Sequence, residues 1–332
     1  MKKTLVALAV LAASGASFAQ VTITGEAAFG YQSTSNVKGV SGDDKSGMGT
    51  DTSEIYFGVK EDLGGGMAAE VVMQMGGLDR GGYGTPVTGD VGGAVLGKDF
   101  KIMLTTTVGK LTLGTVKASD YLSGGVAGLG TNWNNFDGKV FSGRTSRDVA
   151  TFQAPVGPVT LSLSHQEPAN NLGEGSGQVG SNGQRLNIVG VNYNSGAMVV
   201  DAQYLSFGEQ GTTDATTKNQ MRLSGNYDLG VVKLGAGVTV ATQGGTGKVT
   251  DSLLAVKAPL GALTLGAQFA NRNASDSATV YNGSVSGYAL NAVYNLSKRT
   301  YLWGQFQRWD QTGAAAPAAT TQQTTLLMVH DF

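Results

Sequence analysis

The 332 residues contain no cysteine, so a small fold stapled by disulfides is excluded. Histidine occurs twice, at His165 and His330, too sparsely for a metal site at ligand spacing. Beyond the N-terminal segment no apolar run approaches the roughly 20 residues of a membrane-spanning helix. The formal charge of −1 does not point to nucleic acid. There are 6 prolines and 51 glycines, and the glycines follow no strict period, which excludes a collagen-like chain. Abundant glycine without helix signals fits many short strands joined by tight turns.

The chain opens MKKTLVALAVLAASGASFAQ. Two lysines, an apolar core from Thr4 to Ala13 and small residues at Ser17 and Ala19 are the layout of a secretory signal peptide cut between Ala19 and Gln20. The apolar core is too short to span a bilayer as an anchor. The reading is therefore a signal over 1–19 and a single domain over 20–332. Loss of Lys2 and Lys3 takes the net charge from −1 to −3.

From Val21 the residues alternate. Val21, Ile23, Ala27, Phe29 and Tyr31 share one parity, and Thr22, Thr24 and Glu26 the other. Successive strand side chains point to opposite faces. The pattern returns in EIYFGVK, MAAEVVMQM, VTLSLSHQ, RLSGNY, VVKLGAGVTV, LTLGAQFANR, YALNAVYN and TYLWGQFQRW. Short connections, such as EDLGGG (61–66), PVGP (155–158), NSG (194–196) and DLG (228–230), carry turn residues. They alternate with long ones near 33–52, 76–98, 118–147, 167–184, 208–218, 242–250, 272–284 and 310–321. The count is roughly sixteen strands, within the range of outer-membrane barrels. The apolar parity would face lipid and the polar parity a water-filled lumen. A secreted β-sandwich or β-helix also alternates. Against it stand the strict long–short order and the close on TTLLMVHDF, with Leu326, Met328, His330 and Phe332 on one parity, where a soluble chain would fray.

Ala118 to Arg147 is the longest central run without alternation. Connections of this length are functional or disordered, and disordered segments are poor in aromatics. This one carries Tyr121, Trp133, Phe136 and Phe141, with Asp120, Asp137, Lys139, Arg144 and Arg147. It is expected to fold into the cavity and set its chemistry.

At these residues the chain resembles the general Gram-negative porins, especially the β-proteobacterial trimeric kind. SEIYFGVKEDLGGGM (53–67), VGKLTLGTVKASDYL (108–122), DVATFQAPVGPVTLSLS (148–164), YALNAVYNLSKRTYLWGQFQ (288–307) and the final Phe332 carry the resemblance in order along the mature chain. It implies a homotrimer of 16-stranded antiparallel transmembrane barrels in the outer membrane, with short periplasmic turns, long outer loops and the third loop folded inward. It implies that Phe332 is read by the outer-membrane insertion machinery. It also implies basic wall residues facing the loop, and there the chain departs: Glu54, Thr115 and Thr151 stand where the family usually has arginine. Bases lie nearby at Lys60, Lys101, Lys117 and Arg147, with Arg222, Lys233 and Lys257 further on. Lys60, Glu70 and Lys233 have lumen parity. Lys117 reaches the lumen if the strand bends at Gly114. Arg147 shares parity with Thr151, which the resemblance turns inward.

The function expected is passive diffusion of small hydrophilic solutes and ions, with outer-membrane lipid as surroundings and no cofactor. The alternatives are a solute-preferring channel, or an adhesin using the long loops. No G-x-S-x-G opens a helix, and the spaced glycines of GGVAGLG lack a βαβ setting. Glu54 and Glu70 could be drawn as a glycosidase pair, but solvated wall charges are the simpler reading, so no enzyme is expected. Tyr31, Tyr56, Tyr204, Tyr227, Tyr294, Tyr301 and Trp303 are candidates for interfacial girdles. Glu54 in place of arginine predicts weakened anion preference, tending to cation preference. A partner for Glu54, Lys60 or another base, would leave the field almost unchanged.

Overall fold

The computed structural model describes residues 19–38, 44–77, 96–117, 122, 140, 146–168, 185–208, 217–243, 247–275, 283–313 and 318–332. Sixteen strands follow one another. The first eight are β1 (Gln20–Lys38), β2 (Lys45–Gly64), β3 (Met67–Gly76), β4 (Leu96–Thr106), β5 (Gly109–Lys117), β6 (Ser146–Val156), β7 (Val159–Pro168) and β8 (Leu186–Asn194). The second eight are β9 (Met198–Phe207), β10 (Thr217–Asp228), β11 (Lys233–Gln243), β12 (Lys248–Leu260), β13 (Leu263–Ser275), β14 (Gly283–Asn295), β15 (Thr300–Gly313) and β16 (Ala319–Asp331). Each pairs antiparallel with its sequence neighbours, and β1 pairs with β16, so the barrel closes. Closure leaves no edge strand, which is what hydrocarbon surroundings require of a β structure.

The outward face is apolar and exposed over most strands: Ile23 and Phe29 on β1, Ile102 and Leu104 on β4, Leu223 on β10, Leu254 on β12, Leu290 on β14, Leu326 and Met328 on β16. The expected parity holds on β1 to β3. On β15 both parities carry large apolar groups. There Leu302 faces out, while Trp303, 1 % exposed, packs inside with Ala28, Leu327, Val329, Val293 and Tyr301. Tyr301 and Trp303 are therefore not girdle residues, and Tyr56 also turns inward, to Glu54. Tyr31, Tyr204, Tyr227 and Tyr294 do face out.

Several strands run past the expected boundaries. β1 reaches Lys38 and β2 starts at Lys45, inside the stretch 33–52 expected as loop. A strand that rises above the lipid no longer needs an apolar face, so its alternation fades while its backbone ladder continues. Tight turns close the other end. Asp62, Asn194 and Asp228 each accept the N–H two residues on, from Gly64, Gly196 and Gly230, at 2.8–2.9 Å. Those glycines sit at φ of 76, 81 and 83°, a region side chains disfavour.

The closing seam depends on another glycine. Gly25 and Phe332 exchange both backbone hydrogen bonds at 3.0 Å. A Cβ at Gly25 would meet the Phe332 ring and the Glu54 carbonyl, so glycine leaves the space that the terminal ring covers.

A charge on the outward face separates the two parities. Leu254→Arg, in mid-strand, should cost about 2–4 kcal/mol, and Leu265→Arg, nearer a short turn, less. Thr264→Arg, on the lumen parity, should be much milder. Urea unfolding in lipid vesicles measures the order, and equal costs would contradict the register.

Candidate functional site

The site is the lumen at the level where the connection between β5 and β6 enters it. Leu122 and Val140, both within that connection, are each 2 % exposed. They pack with Leu253 and Ala255 of β12, Ala270 of β13 and Ala289 of β14, against Val285 and Trp309. These wall residues belong to strands far around the barrel from β5 and β6, so the third loop folds inward, as expected. Its aromatics Tyr121, Trp133, Phe136 and Phe141, and its charges Asp120, Asp137, Lys139 and Arg144, lie outside the described residues. The loop residues seen in contact, Leu122 and Val140, are aliphatic. The receiving wall is apolar, which polar-in alternation did not anticipate; its local sequence, SLLAV, carries leucines on both parities.

Beside this dry footprint runs a chain of buried amides. Gln305 Nε2 donates to Gln307 Oε1 at 2.9 Å, Gln307 donates to Gln323, and Gln323 Nε2 donates to Thr34 Oγ1 at 2.8 Å. The relay crosses from β15 over β16 to β1 and satisfies polar groups whose burial would otherwise be costly.

The rest of the wall is charged. Glu54 of β2 is the best-held group. Lys98 Nζ reaches its Oε1 at 2.6 Å, while Tyr56 Oη and Gln74 Nε2 donate to its Oε2 at 2.6 and 2.7 Å. Glu54 is thus not a lone acid, and its partner is Lys98 rather than Lys60. Lys98 was missed because β4 carries a bulge. The register steps from Met73↔Phe100 to Met75↔Gly97, so Lys98 and Asp99 both oppose Gln74 and both turn inward. Strict alternation would send one of them out. Asp99 lies 3.6 Å from Lys101 Nζ and accepts the Lys117 N–H at 2.8 Å.

Lys60 and Glu70 are Cα partners on the lumen parity near the short-turn end. Lys233 and Lys257 are also partners near that end, and Lys233 pairs with Asp228 at 2.8 Å. Arg147 faces the lumen on the parity of Thr151. The bend at Gly114 on which a lumen place for Lys117 depended is absent: β5 runs to Lys117↔Ser146 without a register shift, which keeps Lys117 on the outward parity of Leu113. Thr115 is outward too, donating to Asp148. Of the three positions where arginine was expected, only Glu54 and Thr151 line the lumen, and Thr151 meets Ser164 at 2.6 Å.

A second charged row lies beside the loop footprint. Arg222, Thr239, Asp251 and Arg272 are successive Cα partners across β10 to β13. Arg272 Nε stands 3.7 Å from Asp251 Oδ1, and the Arg222 charge bears on the same carboxylate. Asp251 and Arg272 were not among the candidates, since Asp251 shares its parity with Leu253 and Ala255. His165 faces out, exposed, and bonds Asn187 and Glu167.

A closed sixteen-stranded barrel with an apolar exterior, a charged lumen and a loop packed inside it is a membrane channel of the outer-membrane type. Residues 4–314 match the family described as Gram-negative porin, and the chain belongs to that family. It is similar to outer membrane porin protein 32 of Delftia acidovorans, 29% identical over 92% of this chain and 88% of that one. Among solved structures it is similar to the outer membrane channel DcaP of Acinetobacter baumannii, with a TM-score of 0.70, 12% identity and coverage of 95% and 97%. It is also similar to OmpT of Vibrio cholerae in its trimer form, with a TM-score of 0.64, 11% identity and coverage of 95% and 99%. The protein is an outer-membrane porin, a channel-forming barrel.

The loop anchor is testable alone. Leu122→Asp with Val140→Asp places two charges in an apolar contact and should detach the loop. Single-channel conductance should rise and become noisier, while the barrel keeps its strand content by circular dichroism. Leu122→Ala should cost about 2–5 kcal/mol of local packing with a smaller conductance change. Unchanged conductance in the double variant would mean that the loop does not narrow the pore.

Proposed function

We propose that small hydrophilic solutes and ions diffuse passively between the third loop and the charged wall that runs from β2 to β10 and on through Asp251 and Arg272, without catalysis. One observation carries this reading: Leu122 and Val140 seat the loop on the apolar wall of β12 to β15, leaving the charged wall to line the free passage. The constriction residues in this reading are Glu54, Lys98, Asp99, Lys101 and Arg147 on one side and Arg222, Asp251 and Arg272 on the other. Lys60, Glu70, Lys233 and Lys257 line the short-turn mouth.

Glu54 with Lys98, Asp99 with Lys101, and Asp251 with Arg272 offset one another, while Arg147 and Arg222 add positive charge to the same set, so ion preference is weak and toward anions. Charges at a narrow passage govern selectivity because screening there is reduced, and pairing removes most of their far field.

The remaining assignments follow the same reading. Residues 1–19 are a signal removed on export, and 20–332 the barrel. The working unit is a homotrimer, the form in which the similar OmpT was obtained. Phe332, closing the seam on Gly25, is the assembly signal presented to the insertion machinery. The short turns face the periplasm.

Planar-bilayer recording should show large ohmic steps and, in a salt gradient, a small reversal potential of the sign for anion preference. Glu54→Gln removes one negative charge beside Lys98. One unit charge about 10 Å from an ion in water is worth about 0.4 kcal/mol, with opposite sign for anion and cation, so the anion-to-cation permeability ratio should rise about fourfold. An unchanged ratio would place Glu54 outside the constriction.

A further inference from the structure

The short turns carry apolar side chains at their tips. Val231 is 74% exposed, Val108 70%, Val156 60%, Leu260 56% and Leu296 53%. Turn chemistry does not require this: the β8–β9 turn is Asn-Ser-Gly-Ala and closes as well. Water-facing turns gain nothing from valine and leucine. Val108, Val156, Leu260 and Leu296 each continue the outward parity of the strand before them, and for Val156, Leu260 and Leu296 the residues leading to the tip on that parity are Ala154, Ala258 and Tyr294, so the lipid-facing belt runs on into those turns.

We propose that these tips are a membrane-docking ring, seated in the headgroup–acyl boundary of the leaflet on the short-turn side, with phospholipid as the partner. The depth is consistent. Leu296 lies two residues beyond the outward Tyr294, about 5 Å along a tilted strand at roughly 3.3 Å per residue. The headgroup layer on each side is about 5–7 Å thick, so a tip just past a tyrosine girdle is still inside it. Apolar groups bury in this boundary without spanning the bilayer. Lys298 and Arg299, exposed in the same turn as Leu296, add cations suited to anionic headgroups. A protein partner would ask for a patch on one side of the rim. The ring instead recurs on turns around the barrel, as contact with a surrounding solvent of lipid requires. Its consequence is a barrel whose depth is set at the turns rather than only by the aromatic girdle.

The native chain has no cysteine, so single cysteines can be placed at will. Val231→Cys, Val156→Cys, Leu260→Cys and, as the polar-turn control, Ser195→Cys are each labelled with bimane in the assembled full-length barrel. The labelled proteins are reconstituted in phosphatidylethanolamine–phosphatidylglycerol vesicles, and those with native conductance are scored. Three tip positions guard against loss of one variant. The expected result is several-fold stronger quenching of the tip labels than of Ser195→Cys by lipids brominated near the headgroup end of the acyl chain, with the reverse order for aqueous iodide. Tips as open to iodide as Ser195→Cys would overturn the proposal. So would tips shielded from both quenchers, which would assign the ring to protein contacts.

Discussion

Everything in this molecule depends on one constraint: a backbone N–H or C=O in hydrocarbon has no water to bond. A sheet meets it only by closing on itself. Here the seam between β1 and β16 closes through register pairs along the strands and ends with Gly25 and Phe332 exchanging both hydrogen bonds. The outward residues are free to be apolar because the lipid is their solvent, and the exposure of so many large apolar groups is not a defect of packing. The inward residues face a lumen too wide for sixteen strands' side chains to fill, so the interior needs something else to shape it.

That something is a chain segment whose described residues, Leu122 and Val140, are held by apolar packing. The third loop rests on a dry patch made of one face of β12 to β15. The lumen is divided as a result. One side has a small aliphatic and aromatic core, continued by Trp303 and its neighbours and edged by a glutamine relay. The other side is wetted and bears paired charges. A uniformly polar lumen would give the loop nothing to bind. A uniformly apolar one would not conduct.

Charge pairing on the wetted side has a structural source as well as a functional effect. Lysine and aspartate from one bulge, Lys98 and Asp99, enter the lumen side by side. Lys98 finds Glu54 on β2, and Asp99 finds Lys101 two residues on in β4. A local irregularity of one residue therefore adds a lysine and an aspartate to the lumen side of β4.

The barrel itself was legible from period-two alternation, the long–short order of connections and turn triplets such as Asn-Ser-Gly, because these are local consequences of a membrane crossing of fixed thickness. So were the outward register of β1 to β3, the inward parity of Lys60, Glu70, Lys233 and Arg147, and the length of the third loop. Strand ends above the lipid were misjudged because apolar alternation stops where lipid stops, while hydrogen bonding goes on. The inward turn of Trp303 was hidden because both parities of β15 are bulky. The pairing of Glu54 with Lys98, the row from Arg222 to Arg272 and the seating of Leu122 and Val140 on β12 to β15 joined residues distant in the chain. Only the closed tertiary structure decided them, since a bulge resets parity without a sequence mark and a contact across a lumen leaves no local period.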